Sequence, residues 1–275
     1  MTIAKADFIE GMAKGLAVLE SFNTERQRLN ATQAAQRAGI TRAAARRHLL
    51  TLAHLGYLES DGSHYWLSPK VLRFSGSYLA SARLPRTVQP VLNRLASVCP
   101  DAFSVAVLDD DAVVIVARSV SLAAHTGMEG ELSAMLRALP SQMPVRLLAH
   151  GLHLGARLPA HATSTGRVLL AAKSDADLSA WLGEHALPRL TGHTETDPQG
   201  LRQVLEEVRR QDHALASETH ELGVHAVAVP LRDTRGQTVA ALNAVLSAER
   251  LSRGAVAREI LPALQDAARE LRTAL

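Results

Sequence analysis

Along residues 11–22 the apolar positions Met12, Leu16, Leu19 and Phe22, with Val18 beside them, recur at steps of three and four. That is the spacing of an amphipathic helix with this stripe turned toward a core. Residues 30–38 form a short alanine-rich segment that opens on a polar cap, Asn30, and stops at Gly39, which suits the left-handed end of a helix. Only Ile40 separates Gly39 from Thr41, a good N-cap, and residues 41–55 then read as a third helix ending at Gly56. Two short helices across a tight glycine turn predict a helix-turn-helix, whose second helix lays its N-terminal residues in the major groove of DNA. In that helix Leu49, Leu52, Ala53 and Leu55 take the inward face, and Arg42, Ala43, Arg46 and Arg47 the opposite, early face. Beyond it, residues 57–59 and 64–67 flank Ser60-Asp-Gly-Ser63, a strong hairpin signal. A two-stranded wing completes a winged helix.

The pattern then changes. Ser68-Pro69 opens a linker helix running from Lys70 to Ala82, and a further helix follows over about residues 86–98, with the boundary placed near Leu84-Pro85-Arg86. Residues 103–108 and 112–118 are β-branched apolar runs separated by Asp109, Asp110 and Asp111, a strand–turn–strand signal. More strands are expected at 145–150, 226–230 and 239–247, the last two joined by Asp233-Thr-Arg-Gly236, and helices at 166–172, 175–182, 199–211 and 255–275. The outcome is an α+β chain in three parts. Residues 1–68 form the winged helix-turn-helix, 69–86 the linker helix, and 87–275 a sheet flanked by helices.

Composition narrows the class. With 47% hydrophobic and 21% charged residues over 275 positions, the chain buries a core, which excludes disorder and coiled-coil rods. The single Cys99 excludes an intrachain disulfide framework and a cysteine-based zinc site, and points to a reducing, cytoplasmic compartment. No apolar run approaches the length that spans a membrane. Charge is polarised: residues 1–86 hold twelve lysines and arginines against six acids, a net +6, whereas residues 87–275 carry a net −3. Between Glu25 and Glu59 there is no acid at all, while Arg26, Arg28, Arg37, Arg42, Arg46 and Arg47 fall inside that window. Such a segment either faces a polyanion or is a solvated basic surface. Seven of the nine aromatic residues also lie before position 87, leaving only Phe103 and Trp181 in the remainder. Ring stacking is therefore not the main source of ligand affinity there.

Candidate chemistry in the second part is sparse. Ala162-Thr-Ser-Thr-Gly-Arg167 leads directly into an apolar helix, so three hydroxyls and several backbone N–H groups meet at a helix N-terminus. This is either a seat for a carboxylate or ordinary capping by Thr163, Ser164 or Thr165. Ser164 lacks the preceding glycine of a nucleophile elbow, which argues against a hydrolase. His220-Glu-Leu-Gly-Val-His225 is one residue too long for a zinc-protease helix. His150, His153 and His161 lie close together, but no metal is assigned to them, and no Walker loop or dinucleotide fingerprint is present, so no cofactor is expected.

Three blocks carry a family resemblance: Gly11-Met-Ala-Lys-Gly-Leu-Ala-Val-Leu-Glu-Ser-Phe22, Gly39-Ile-Thr-Arg-Ala-Ala-Ala-Arg-Arg-His-Leu-Leu-Thr-Leu-Ala-His-Leu-Gly-Tyr57, and Leu158-Pro-Ala-His-Ala-Thr-Ser-Thr-Gly-Arg-Val-Leu-Leu-Ala171. Together they resemble the IclR family of bacterial transcription regulators over nearly the whole chain, and in wording most resemble its aromatic-acid-catabolism branch, the PobR- and PcaR/PcaU-like regulators. The resemblance implies a winged helix-turn-helix joined to a GAF-like effector-binding domain. It also implies a homodimer or dimer of dimers on double-stranded operator DNA, with RNA polymerase as a further partner if the protein activates. The DNA-facing set is expected to be Thr32, Thr41, Arg42, Ala43, Ala45, Arg46, Arg47 and His64. The effector pocket is expected at Thr163, Ser164, Thr165 and Gly166, with Glu218, His225, Ala226 and Asn243 on its other wall. The effector expected is an aromatic or other small organic acid of the 4-hydroxybenzoate or protocatechuate class. The alternatives are a short keto acid or, in another class, a metal-dependent sensor or enzyme with a nucleic-acid-recruiting N-terminus. Some relatives carry cysteine or serine near the positions of Ala226 and Asn243, so the small-keto-acid chemistry of those relatives does not transfer. This chain also departs from the family by an insertion at about 120–143, with a short helix expected at 131–139.

Overall fold

The computed structural model describes residues 3–23, 26–99, 101–119 and 153–275. The insertion at 120–143, its expected helix at 131–139 and the expected strand at 145–150 lie outside the described residues. The chain divides into two compact units, residues 1–81 and 82–275.

The first unit contains α1 (Glu10–Glu20), α2 (Ala31–Arg37), α3 (Arg42–His54), β1 (Leu58–Ser60), β2 (Tyr65–Leu67) and α4 (Leu72–Ser81). The start of α2 is fixed by a reciprocal cap. The Asn30 side chain accepts the N–H groups of Thr32 and Gln33 at 3.0 Å, and the Gln33 side chain accepts the Asn30 N–H at 2.9 Å. Gly39, at φ +63°, makes the turn, and Thr41 caps α3 by accepting the Ala44 N–H. Leu29 exchanges both backbone hydrogen bonds with Tyr65, adding one residue to the wing sheet. Val18, Phe22, Leu29, Ala34, Leu49, Leu58 and Tyr65 form the core.

The apolar stripe of α1 does not face inward along its full length. Val18 and Phe22 are buried, but Met12 is 65% and Leu16 53% exposed, because only the C-terminal part of the helix meets the core. Leu55, expected inside, is also exposed: it is the C-cap of α3, beyond the last inward turn.

In the second unit, α5 (Arg83–Val98) starts earlier than expected. Leu84-Pro85-Arg86 is its first turn rather than a break, since proline is tolerated where the helix N–H groups lack intrahelical acceptors. Then come β3 (Ala102–Asp109), β4 (Ala112–Arg118), β5 (Arg157–Pro159), α6 (Ser164–Ala171), α7 (Asp175–Glu184), α8 (Pro198–Gln211), β6 (Ala214–Ser217), β7 (His225–Arg232), β8 (Thr238–Leu246), α9 (Ala248–Ser252) and α10 (Leu261–Leu271). The strands form one antiparallel sheet in the order β5-β4-β3-β8-β7-β6. The edge strands β5 and β6 were not foreseen, being three and four residues long, too short to show a period.

Alternation along the central strands builds two cores. Phe103, Val105, Val227, Val229, Leu242 and Ala244 pack with α5 and α10 on one face. On the other, Ala106, Ala228 and Ala241 meet α6, α7 and α8. The small side chains on this second face let α6 lie close to the sheet. Truncation of the fully buried Leu49 to alanine is expected to cost the first unit about 2–5 kcal/mol in denaturant unfolding; a loss below about 1 kcal/mol would contradict its place at the centre of that core.

Candidate functional site

Two surfaces bring the expected residues together, one in each unit. In the first unit, Thr41, Arg42, Ala43, Arg46 and Arg47 are exposed along the early face of α3, and Thr32 is exposed in the first turn of α2. No ion pair holds Arg42, Arg46 or Arg47 among the described residues, so their guanidinium groups are available to an anion. Ala45, expected to face DNA, is instead fully buried, one turn before Leu49 on the inward face, and packs the helices.

His64 is half-buried in the wing, with Nδ1 2.9 Å from the Ser63 hydroxyl. The wing is ordered by Asp61, whose Oδ1 accepts the N–H groups of His64 (2.8 Å) and Ser63 (2.9 Å) and the Ser63 hydroxyl. These bonds, led by that from the His64 N–H, pull its pKa down to about 2. Arg28, outside the expected set, lies over the Trp66 ring at 4.1 Å from its centroid. Its place in the acid-free window was the only sign of it in the sequence.

In the second unit a cavity opens at the N-terminus of α6. Its lining includes Thr163, Ser164 and Thr165 from the helix start, Ala226, Asn243 and Val245 from the sheet, and Thr219 and His220 from the loop before β7. Thr163 is the N-cap: its hydroxyl oxygen accepts the Gly166 N–H at 3.1 Å. That leaves the N–H groups of Ser164 and Thr165 in the first turn without protein partners among the described residues. Capping and an open N-terminus thus coexist, with Thr163 serving the first and its two successors lining the cavity. The helix is pinned at both ends. Arg167 Nε donates to the His161 carbonyl at 3.2 Å, while Arg209 of α8 donates to the carbonyls of Ala171 and Lys173, each at 2.7 Å. The rim is tied down by the Thr219 hydroxyl, which donates to the Ala162 carbonyl at 2.7 Å.

The expected pocket set divides. Gly166 is structural, since a Cβ there would sit 2.1 Å from the Ala160 carbonyl oxygen. His225 shares a sheet face with Val227 and Val229, opposite that of Ala226, because successive strand residues point to opposite sides. It is buried away from the cavity. Glu218 is turned back into its own loop at φ +58°, its carboxylate accepting the Gly223 N–H at 2.8 Å. In their place stand Thr219 and His220, whose loop carries no periodic signal. Burial lowers the His220 pKa from its ordinary value, which keeps the imidazole neutral. His220 and His225, paired in the zinc-like spacing, therefore do not converge. Among the described residues no group of three or more His, Cys, Asp or Glu residues is placed to hold a metal ion, and no helix is long and apolar enough to cross a membrane.

Comparison with known proteins joins the two surfaces. Residues 11–62 match the IclR helix-turn-helix domain, and residues 128–273 match the C-terminal domain of bacterial transcriptional regulator IclR. The Pca operon regulatory protein of Acinetobacter baylyi is 47% identical, with 99% of this chain and 91% of that protein covered. This chain belongs to the IclR family. A second IclR relative, the p-hydroxybenzoate hydroxylase transcriptional activator of the same organism, is 45% identical, with 98% of this chain and 93% of that protein covered. Among solved IclR-family structures, a double mutant of the PobR inducer-binding domain from Acinetobacter, complexed with 3-hydroxybenzoic acid, is 37% identical. It aligns with a TM-score of 0.58, covering 70% of this chain and 98% of that one.

The IclR wing carries a pH signature. The depressed Asp61 pKa means that the ionised carboxylate orders the wing fully above pH 3.8, and that this contribution fades as the pH falls through about 2. Amide resonances of Ser63 and His64 are expected to titrate with a midpoint of about 2; a midpoint of 3.8 would show that the wing bonds do not hold in solution.

Proposed function

We propose that this IclR-family chain is a one-component regulator of an aromatic-acid catabolic operon. It binds double-stranded operator DNA through α3 and the wing, and takes a small aromatic acid of the hydroxybenzoate class into the cavity at the N-terminus of α6. The observation that carries the effector half is the open first turn of α6. Ser164 and Thr165, whose N–H groups have no protein partner among the described residues, line a cavity walled by Leu158, Ala162, Ala216, Ala226, Val224 and Val245. A helix N-terminus favours a carboxylate, and aliphatic walls suit a ring. The nature of the relatives named above supports the same class. The chain acts by binding rather than catalysis, on DNA in the cytoplasm.

The DNA half rests on the exposed, unpaired Arg42, Arg46 and Arg47. Arginine donates in a fork that fits both guanine edges and phosphate. A second copy of the chain completes the binding unit. Phe8, Ile9, Met12 and Leu16 on or beside α1, and Leu72, Phe74 and Tyr78 on α4, are all exposed in one copy and supply apolar surface for a homodimer. The effector couples to DNA by binding one state of the protein more tightly than the other.

Promoter fragments provide the test. With Arg46→Ala or Arg47→Ala, affinity for the operator is expected to fall about tenfold or more, either with relaxed base preference or with a shallower dependence on salt. Unchanged operator affinity and salt slope in both variants would move the DNA interface away from α3.

A further inference from the structure

The polar groups around the α6 cavity fall into two sets, those already committed within the protein and those left for a ligand. The Thr163 hydroxyl donates to the Pro159 carbonyl and accepts the Gly166 N–H. The Thr219 hydroxyl donates to the Ala162 carbonyl. Asn243 is half-committed. Its Oδ1 accepts the Ser104 hydroxyl at 2.5 Å, from the residue directly opposite on β3. On its other side the opposing residue is Ala228, which offers no polar side chain. Asn243 is only 6% exposed and Ser104 only 7%, yet Asn243 lines the cavity.

An asparagine amide has two ends of nearly equal shape and opposite hydrogen-bonding sense, so whichever end faces a ligand decides what is recognised. Here Ser104 occupies the oxygen. The Nδ2 group, with its two N–H donors, is left without a protein acceptor among the described residues. A ligand that fills the cavity without accepting from this donor shuts it off from water unpaired, so such a ligand is penalised as well as deprived of a bond.

We propose that Asn243 is the specificity-determining residue of the cavity, and that Ser104 is the positioning residue that holds its Nδ2 toward the ligand. The site then selects aromatic acids that carry a hydrogen-bond acceptor on the ring, such as a phenolic oxygen. It disfavours the same acids with a bare ring, or with a ring amine that sets donor against donor. The carboxylate is taken by the first turn of α6, and Asn243 reads the second polar group. This rests on the effector reading given above.

Calorimetry on the full-length protein tests both layers. The probes are benzoate, 3-hydroxybenzoate, 4-hydroxybenzoate, 3,4-dihydroxybenzoate, 3-aminobenzoate and 4-aminobenzoate. In the unaltered protein at least one hydroxylated acid is expected to bind about tenfold or more tightly than both benzoate and its amino counterpart, the weight of one hydrogen bond to a buried group. Asn243→Ala is expected to remove that advantage, so that the hydroxylated, amino and unsubstituted acids bind the variant within about threefold of one another. Ser104→Ala frees the amide to turn, and is expected to shrink the hydroxyl-to-amino preference about tenfold although Asn243 is still present. That change is one a merely structural role for Ser104 would not produce. Equal binding of hydroxy and amino acids by the unaltered protein would overturn the proposal without any variant having to fold. So would full retention of the preference in Ser104→Ala. If benzoate and all its derivatives fail to bind, the effector reading itself falls. If benzoate binds but ring hydroxyls add nothing, only the assignment to Asn243 falls.

Discussion

The second unit depends on a backbone contact at Gly166. The first turn of α6 lies against the 160–162 turn so closely that any side chain at 166 would meet the Ala160 carbonyl. This approach sets where the helix begins, and therefore where its free N–H groups point. The remaining anchors reinforce it. Thr163 caps the helix, Arg167 reaches back to His161, and Arg209 closes the far end on the carbonyls of Ala171 and Lys173. The alanines beneath, Ala106, Ala228 and Ala241, leave room for the helix to sit low over the sheet. As the proposed effector site, this arrangement is preorganised: the donors are fixed by the fold before any ligand arrives.

The same packing bears on how a domain nearly free of aromatic residues would hold the ring of the proposed effector. Phe103 is buried in the core on the opposite face of the sheet, and Trp181 is committed to the Asp110 carbonyl and stacked on His185. Neither lines the cavity. In the proposed site, ring recognition falls to aliphatic walls, and discrimination among acids to the few polar groups that the fold leaves unspent. The first unit works from the opposite composition. Its excess of arginine is held on a small core, with a wing stiffened by Asp61, the acid nearest its tip. Polarised charge thus separates two tasks that a single net charge of +3 conceals.

Elements with a strong local signal could be read from the sequence. Asn30, Gly39 and Thr41 punctuate α2 and α3 at the positions where the chain turns, since caps and left-handed glycines are decided by neighbours within a few residues. What could not be read depended on partners distant in the chain. Met12 and Leu16 fit the helical stripe, yet no element covers them within the unit, and Ala45 sits among the arginines of α3 but one turn from Leu49. In the pocket, His225 adjoins Ala226 in the sequence, but the pleat of β7 sends the two to opposite faces. Glu218 was lost to a left-handed turn that no glycine announced. Thr219 and His220 enter through a loop whose position is set by hydrogen bonds to the 160–162 and 191–194 turns, 25 and more residues away.

The central claim is that effector occupancy in the α6 cavity and operator occupancy on α3 are thermodynamically coupled. The most direct measurement is the affinity of the full-length protein for 4-hydroxybenzoate and for 3,4-dihydroxybenzoate by calorimetry, with and without saturating operator DNA. The account predicts that for at least one of these acids the two affinities differ by about fivefold or more, with the operator affinity shifted by the same factor when that acid is present. Binding of both acids with affinities that operator DNA leaves unchanged would contradict it.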